Sequence, residues 1–399
     1  MTEKHKLFAI WILPFLFMFT ACAPTAPDQI NGVNPETTLV PETLPTVEPA
    51  ATLSSLEQHY VPTYYSPFYG QIIEDSKSEN GLLVYSTLGE KNWAPAIRAF
   101  QEHYPWINVA NIELGADEIF ERYTDNIDTN VRTADIVISA DMINWQNFIE
   151  QGQVLTYQSP ERSYLPDWTA AGSGIYPISS EPLLIIYNKQ IIAIAPDSMQ
   201  QIEDLASVYQ VEYRELISTY DASSATGHAV NWFWVNSKGE SGWDILNTIG
   251  KTAPVLSTPD TQMLRDVASG KFMIAYFVPS FLVMPYLDEY PTVGWSYIKD
   301  GQPILMQQMA ITQANSSPNS AKLLLDFLLS QEGQVSLSMG GLTSYRSDIS
   351  GVSELHVEKI FQLLGPENII FSSFEPELSD PSLSQVFLER WQQAMNQTP

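Results

Sequence analysis

The stretch LLVYSTLGEKNWAPAIRAFQEHYP, residues 82–105, contains a strand signal followed at once by a helix signal. The apolar run 82–85 predicts a strand, and the polar residues 86–89 predict the turn that ends it. Large apolar side chains then recur near helical spacing at Trp93, Ile97, Phe100 and Tyr104. Pro105 predicts the end of this helix, because proline cannot continue one. The stretch therefore predicts a strand–turn–helix unit.

The same alternation continues along the chain. Further strands are predicted at 106–114, 135–138, 182–188, 255–257 and 272–277. Helical patterns occur at 117–126, 142–151, 229–235, 241–249 and 260–269. Gly152 and Gly270 follow two of these helices, where C-cap glycines are common. Strands that alternate with helices indicate an α/β fold with a mainly parallel sheet. The continuous apolar run 182–188 is long enough to cross between two lobes.

Composition limits the classes of function. The chain has 399 residues, of which 44% are hydrophobic, and this suffices for two domains with sizeable cores. Its 19 basic and 46 acidic residues give a net charge of −27, which argues against nucleic acid as a partner. The single cysteine, Cys22, excludes a disulfide framework, and the five histidines form no metalloenzyme motif. We expect no cofactor.

Residues 1–22 have the pattern of an export signal. A short basic region at 4–6 precedes the apolar run 7–19, and small residues precede Cys22. This cysteine resembles the acylated cysteine of the bacterial lipobox, although Phe19 stands where leucine is usual. The resemblance implies lipidation of Cys22 and a lipid anchor in the cell membrane, with the protein on the extracytoplasmic face. The alternative is an ordinary signal peptide with an incidental cysteine.

Residues 23–79 are predicted to form a tether and an N-terminal extension. Residues 23–55 are rich in proline, threonine and acidic residues and show no apolar period. Such a segment cannot bury enough surface to fold, so it should stay extended. The tyrosine-containing stretch 56–80 either packs on the folded body or remains loose.

Polar side chains follow two of the predicted strands. In open α/β sheets, ligands bind outside the carboxyl ends of the strands. This rule selects as ligand-binding candidates Ser86, Thr87, Ser139 and Asp141. The alternative is that these side chains only cap the next helix, and the two roles are compatible because helix N-termini also bind anions.

Four segments, in this order and spacing, resemble one protein superfamily. They are the stretch 82–105, ADIVISAD at 134–141, PLLIIYNKQI at 182–191 and LMQQMAITQANSSPNSAKLLLDFLLSQEGQ at 305–334. The last segment is the most specific, and a glycine-containing loop with Arg346 follows it. Over roughly residues 80–350 the chain resembles the type II periplasmic binding proteins, in the ferric-iron, thiamine and phosphonate branch of the ABC solute-binding proteins.

The resemblance implies an α/β, two-lobed type II periplasmic binding protein fold. Two mixed or parallel sheets with helices on both faces would be joined by hinge strands, with crossings near 180–190 and 295–310. Lobe 1 would comprise residues 80–180 plus 305–399, including the C-terminal tail. Residues 181–304 would form the hinge strands and lobe 2. A ligand would bind in the cleft and close the lobes, and an ABC permease would recognise the closed form.

The ferric members of this family hold iron mainly through two adjacent tyrosines, and this chain has Tyr276 followed by Phe277. Their first-lobe histidine is missing as well, because Leu-Gly-Glu stands at 88–90. Ferric iron prefers several anionic oxygens, so both departures argue against iron. The further candidates for ligand contact are Glu181, Ser223, Ser224, Thr226 and Tyr276.

The candidate residues suit two classes of solute. Hydroxyl groups and helix N-termini suit phosphate, phosphonate or carboxylate groups. Asp141 or Glu181 could instead meet an amine. Arg346 either points inward, where it could bind an anion through two guanidinium nitrogens, or is a surface charge.

Together these observations predict a monomeric, extracytoplasmic solute-binding lipoprotein that captures a small molecule for the permease subunits of an ABC importer. The expected solute is an organic anion or phosphonate, or a molecule that bears an amine. A ferric-iron-binding protein of the same family and a ligand-sensing surface receptor are the alternatives. A secreted hydrolase is least favoured, because the chain has no GxSxG elbow and no glycine-rich phosphate loop, and we expect no enzymatic activity.

Overall fold

The computed structural model describes residues 61–169, 172, 174–258 and 261–395. The chain divides into two units, Met1–Glu57 and Gln58–Pro399, and every described residue belongs to the second. The predicted signal peptide 1–22 with its lipidation site Cys22, and residues 23–60 of the predicted tether, lie outside the described residues. Within the described ranges, no helix is long and apolar enough to cross a membrane.

The described residues contain ten β-strands. Their bounds are β1 Leu82–Ser86, β2 Val109–Glu113, β3 Ile136–Ser139, β4 Ile175–Asn188, β5 Ile217–Tyr220, β6 Val255–Ser257, β7 Ile274–Pro279, β8 Val293–Ser296, β9 Gln302–Ile311 and β10 Ile369–Phe371. Most have six residues or fewer, but β4 has 14 and β9 has 10. Of these two long strands, β4 pairs with strands in both halves of the molecule.

Twelve α-helices of the described residues surround the strands. Their bounds are α1 Tyr69–Ser76, α2 Glu90–His103, α3 Ala116–Asp128, α4 Met142–Glu150, α5 Met199–Val208, α6 Ala225–Lys238, α7 Glu240–Gly250, α8 Gln262–Ser269, α9 Pro318–Leu329, α10 Gln331–Met339, α11 Val357–Leu364 and α12 Pro381–Ala394. Several begin at a side-chain cap, as the sequence pattern suggests. Asp141 caps α4 and Ser224 caps α6.

The strands form one continuous path in the order β2-β1-β3-β9-β4-β7-β5-β6, with β10 beside β9 and β8 beside β4. Strands β1, β2 and β3 run parallel, and so do β5, β6 and β7. The long β4 lies between these sets, where residues 175–182 pair with β9 and residues 183–188 pair with β7 and β8. We call the half built on β1–β3 lobe 1 and the half built on β5–β7 lobe 2.

Strand β4 links the lobes through a single stretch of extended backbone. At about 3.3 Å per residue, its 14 residues span roughly 46 Å. Every β4 residue except Tyr187 is buried. The sequence predicted only residues 182–188 as a strand, because the first half of β4 contains Pro177 and several polar residues. Pro177 is accommodated at a shift in the β4–β9 register, where a missing backbone N–H is tolerated.

Helices cover both faces of each lobe's sheet, as expected for this fold class. In lobe 1, helices α2, α9 and α10 bury one face and helices α3 and α4 bury the other. In lobe 2, helices α5, α6 and α7 bury one face and helix α8 buries the other. Successive residues of a strand, such as Val84 and Tyr85, pack into the cores on opposite faces of the sheet, because side chains alternate along a strand.

The C-terminal helix lies on lobe 2, whereas the sequence placed the whole tail with lobe 1. Phe387 of α12 packs edge-on against Trp232 of α6, and Trp391 is fully buried in the same core. Helix α12 also contacts α7, where a Cβ atom at Gly250 would overlap the carbonyl oxygen of Ala394. Apolar spacing predicts that a helix has a buried face, but it does not indicate which lobe receives that face.

The segment before β1 packs on lobe 1 and is not loose. The hydroxyl of Tyr69 donates a hydrogen bond of 2.8 Å to Asp326 of α9. The hydroxyls of Tyr64 and Tyr65 donate to the fully buried carboxylate of Glu161. These long-range contacts attach residues 61–76 to the folded body.

Candidate ligand-binding cleft

A cavity of about 550 Å³ is lined by both lobes at the carboxyl ends of their parallel strands. In lobe 1, the lining comes from Thr87 after β1, residues 113–118 at the end of β2, and Ala140 after β3. In lobe 2, it comes from Ser224 after β5, Thr258 after β6 and Pro279 at the end of β7. This is the position at which open α/β sheets bind their ligands.

The N-terminus of α6 forms one wall of the cavity. The Ser224 hydroxyl accepts a hydrogen bond of 3.2 Å from the backbone N–H of Gly227 and donates one of 2.7 Å to the carbonyl of Asp221. Gly227 is required there, because a Cβ atom would overlap the Asp221 carbonyl oxygen. The next backbone N–H, of Ala225, donates a 3.1 Å hydrogen bond to the carboxylate of Asp117 on α3. This bond joins lobe 2 to lobe 1 across the cavity.

The N-terminus of α3 forms the opposite wall. Gly115 is the N-cap residue, and its backbone N–H donates a 3.1 Å hydrogen bond to the Glu118 carboxylate. Asp117 follows in the first turn, and partial burial raises the pKa of its carboxyl group. Asp117 and Glu118 both line the cavity. Negative charge in the first turn also stabilises the helix through its dipole.

Glu181 lines the cavity from strand β4, where the two lobes join. Its side chain is fully buried, and its carboxylate accepts hydrogen bonds from the Ser280 hydroxyl at 2.5 Å and the Thr343 backbone N–H at 3.2 Å. Burial raises the pKa of Glu181 to about 7, although these hydrogen bonds act in the opposite direction. Both donors are neutral, so the charge of Glu181 is desolvated without an opposing charge from them.

Among the described residues, the cavity lining is acidic. Its carboxylates belong to Glu113, Asp117, Glu118 and Glu181, and no described lysine, arginine or histidine is part of the lining. Apolar side chains in the lining include Leu114, Phe281, Leu282 and Leu305. Hydroxyl groups come from Thr87, Ser224, Thr226 and Thr258.

Four of the residues selected from the sequence line the cavity, namely Thr87, Glu181, Ser224 and Thr226. Ser86, Ser139, Asp141, Ser223, Tyr276 and Arg346 do not belong to the lining. Two of these form hydrogen bonds with neighbouring groups of lobe 1 instead. The buried Ser86 hydroxyl hydrogen bonds to Asn111 and accepts from the indole N–H of Trp93. Ser139 accepts from the backbone N–H of Asp141.

Asp141 and Ser223 lie near the cleft but have local roles. Asp141 is buried and caps α4 by accepting hydrogen bonds from the backbone and side chain of Asn144. Burial raises the pKa of Asp141 to about 6. Ser223 is exposed, and its backbone N–H donates to Asp221 in the turn before α6. For Asp141, the structure matches the helix-capping alternative more closely than direct ligand contact.

Tyr276 is a core residue. It is fully buried among the apolar side chains of lobe 2, and its ring packs edge-on against Phe277. The alternation of β7 explains this placement, because Tyr276 points into the core beneath α6 and not toward the end of the strand. In the described part of the chain, no group of three or more His, Cys, Asp or Glu residues is placed to hold a metal ion.

Arg346 is neither an inward anion-binding residue nor a surface charge. It is buried in lobe 1 and pairs with Glu161 at 2.5 Å and with Asp348 at 2.8 Å. A guanidinium nitrogen also donates to the carbonyl of Leu329 at 2.8 Å. The guanidinium nitrogens of Arg346 therefore donate to these three groups, which lie outside the cleft.

The sequence did not select the acidic lining residues Glu113, Asp117 and Glu118, or Gln307 and Thr258. The signal for the first three was present. They lie at or just after the end of strand β2, which leads directly into α3, so the rule that ligands bind after strands covers them as it covers the residues after β1 and β3. Gln307 lies inside the buried strand β9, where no sequence pattern distinguishes a lining residue from a core residue.

Comparison with known proteins places this geometry in context. The model of the bacterial extracellular solute-binding protein family matches residues 83–342. No curated protein sequence matches the chain. Among solved structures, the substrate-binding protein of an ABC transporter from Agrobacterium tumefaciens is similar, with a TM-score of 0.73 and 21% identity over 80% of this chain and 95% of that one.

Two other solved structures show the same fold. AfuA from Actinobacillus pleuropneumoniae, with fructose-6-phosphate bound, has a TM-score of 0.65 and 15% identity over 80% of this chain and 99% of that one. The spermidine/putrescine substrate-binding protein PotD from Streptococcus pneumoniae has a TM-score of 0.57 and 15% identity over 79% of this chain and 99% of that one. These likenesses confirm the two-lobed periplasmic binding protein fold.

Proposed function

This chain belongs to the bacterial extracellular solute-binding protein family, the substrate-binding proteins of ABC importers, and we propose that it binds its solute in the cavity between the lobes. The observation that carries the proposal is the composition of the lining. Both lobes contribute residues, and these residues lie at the carboxyl ends of the parallel strands of each lobe. The binding residues proposed are Thr87, Asp117, Glu181, Ser224 and Thr226.

Closure of the lobes is part of the proposal. Strand β4 and the connection into β9 are the segments about which the lobes would rotate. Two contacts would break on opening. One is the hydrogen bond from Ala225 to Asp117, and the other is the ion pair between Lys91 of α2 and Glu289 before β8. Apart from α12, which packs on lobe 2, the domain boundaries expected from the sequence, 80–180 plus 305–399 and 181–304, stay a prediction.

The solute is a small organic molecule in this proposal. The cavity is far larger than an inorganic ion, and its lining combines apolar, hydroxyl and carboxylate groups. The ferric-iron alternative lacks support from Tyr276, which is in the core. Both an amine-bearing solute and an organic anion are compatible with the fold alone, because the similar structures named above include proteins for a phosphosugar and for polyamines.

The remaining features are proposed from the sequence. Cys22 would carry the lipid anchor, and residues 23–60 would hold the folded body away from the membrane on its extracytoplasmic side. The protein would act as a monomer, deliver its solute to the permease unchanged and have no catalytic role. A sensing receptor with the same fold would bind its solute in the same cavity but would not support uptake.

A binding screen with a blocked cavity tests the proposal. Full-length protein in detergent is heated with polyamines, thiamine, phosphosugars, phosphonates and ferric citrate, and melting is followed. We expect a saturable rise in melting temperature with at least one solute, which is recovered unchanged. Ala116→Trp should abolish the rise because Ala116 lines the cavity. Glu121→Trp, on the same helix but outside the cavity, is the matched control. A rise that persists in Ala116→Trp would contradict the proposed site.

A further inference from the structure

The cleft's own charges distinguish between the two classes of solute. Four carboxylates line the cavity and no described basic side chain does. Lys91 lies in the first turn of α2, the helix after β1, but it pairs with Glu289 and lies 4.3 Å from the ring centre of Tyr286. An anionic solute would be repelled by these carboxylates, and no described cation of the lining would compensate their charge. This repulsion is strong where water is excluded.

At the two helix N-termini that line the cavity, three backbone N–H groups already donate to acceptors of the chain. These backbone N–H groups are the usual anion-binding positions of such a fold. At α6, the N–H of Ala225 donates to Asp117 and that of Gly227 donates to Ser224. At α3, the N–H of Gly115 donates to Glu118. The carboxylates of Asp117 and Glu118 therefore accept from two N–H groups that an anionic solute could otherwise use.

Glu181 lines the cavity, whereas the other deeply buried carboxylates of lobe 1 do not. Glu161 pairs with Arg346, and Asp135 pairs with Arg132. Asp326 accepts hydrogen bonds from three hydroxyl groups. Glu181, like Asp326, is equally buried and forms no ion pair with a described residue, but Glu181 is the one that faces the cavity, where a solute could supply the opposing charge. A desolvated carboxylate is strongly stabilised by a cation that supplies the missing charge and donors.

From these observations we infer that the solute is an organic cation whose ammonium or cationic heterocycle is held by Glu181, with Asp117, Glu113 and Glu118 adding negative potential. The inference rests on the proposed function of the cleft. The apolar lining from Phe281, Leu282 and Leu305 accommodates a hydrocarbon or ring portion, and the cavity volume of about 550 Å³ suits a metabolite-sized molecule. Neutral solutes would leave the charge of Glu181 uncompensated.

The test is calorimetric titration of the full-length protein in detergent with three cations and three anions. Spermidine, putrescine and thiamine are the cations, and fructose 6-phosphate, citrate and methylphosphonate are the anions. We expect at least one cation to bind and no anion to bind. The affinity for that cation should fall about tenfold or more in Glu181→Gln, as expected when a charge-assisted contact becomes neutral. Glu121→Gln makes the same charge change outside the cavity and should alter the dissociation constant less than about twofold.

The outcomes separate this inference from the proposed function. Binding of an anion that Ala116→Trp blocks and Glu181→Gln leaves intact or strengthens would overturn the cationic class and leave the cleft as the solute site. Cation binding that Glu181→Gln does not weaken would also overturn the inference. If no solute of either sign binds in a manner that Ala116→Trp blocks, the proposed function itself fails. A circular dichroism spectrum of each variant shows whether it is folded before titration.

Discussion

At the residue scale, Glu181 couples protonation to both stability and binding. Burial raises its pKa to about 7, well above the ordinary value of 4.5 that it would have in the unfolded chain. Between these two values the folded state binds more protons than the unfolded state. The contribution of Glu181 to the unfolding free energy therefore falls as the pH rises from about 4.5 to about 7, and it changes little outside that interval. A bound cation would offset this loss of stability, because it would compensate the charge of the Glu181 carboxylate.

We expect the unfolding free energy of Glu181→Gln, measured relative to that of the parent protein, to rise by about 1–3 kcal/mol between pH 4 and pH 8. The physical reason is that glutamine carries no charge to desolvate. Urea unfolding of both proteins at several pH values, without solute, measures this. Asp141 and Asp326 also have raised pKa values and shift stability in the same direction, but they cancel in the difference between the two proteins. A pH-independent difference would contradict the assignment.

Arg346 is the residue whose role changed most from sequence to structure. Arg346→Met would leave the buried carboxylate of Glu161 without its cation, which we expect to cost about 3–5 kcal/mol of unfolding free energy. Because Arg346 lies outside the cleft, the solute dissociation constant of the folded variant should be unchanged. Arg98→Met, an exposed position on α2, should alter neither quantity. A selective loss of binding by Arg346→Met would restore the inward-facing alternative.

At the element scale, the contact between α7 and α12 depends on the absence of a side chain at Gly250. Gly250→Ala should displace α12 from lobe 2, because the new Cβ atom would overlap the carbonyl oxygen of Ala394. We expect a loss of about 1–3 kcal/mol, typical of overpacking, and faster amide exchange over residues 381–395. Gly70→Ala in α1, where a Cβ atom meets nothing within 4 Å, is the control. Unchanged exchange in Gly250→Ala would contradict this docking.

The elements could be predicted where one physical signal dominated. Apolar runs predicted β1, β3 and β7, and helical spacing predicted α2 and α4. Strand β4 was predicted for only half its length, since Ser179, Ser180 and Glu181 are polar residues buried in a strand. Their burial depends on partners distant in sequence, such as Thr343, and no local pattern indicates such partners. The same limit applies to the docking of α12.

The sequence predicted the location of the cleft more fully than the identity of the residues that line it. The rule for carboxyl strand ends identified Thr87, and the resemblance added Glu181, Ser224 and Thr226. A hydroxyl group after a strand either faces the cavity or forms hydrogen bonds within its own lobe. The direction of its side chain at the end of the strand decides between the two, and the sequence does not determine that direction. Thr87 and Ser86 are adjacent, yet only Thr87 lines the cavity.

At the scale of the whole molecule, the proposed anchor is tested through Cys22. In cells, we expect the parent protein in the membrane fraction and Cys22→Ser in the soluble extracytoplasmic fraction, because acyl chains supply the membrane affinity. Metabolic labelling with palmitate should be lost in the same variant. Solute binding by the folded body should be unaffected. A parent protein that takes up no more label than Cys22→Ser would contradict the lipid anchor, and membrane retention of the unlabelled variant would indicate a retained apolar segment at 7–19.

The central claim is that an organic cation binds between the two lobes against Glu181. Its most direct test is a crystal structure of the protein with spermidine, putrescine or thiamine, whichever binds most tightly. We expect electron density for the cation inside the cavity, with its positively charged group in hydrogen-bond or ion-pair contact with the Glu181 carboxylate. Density for the bound solute at any other surface, with the interlobe cavity holding only water, would contradict the claim.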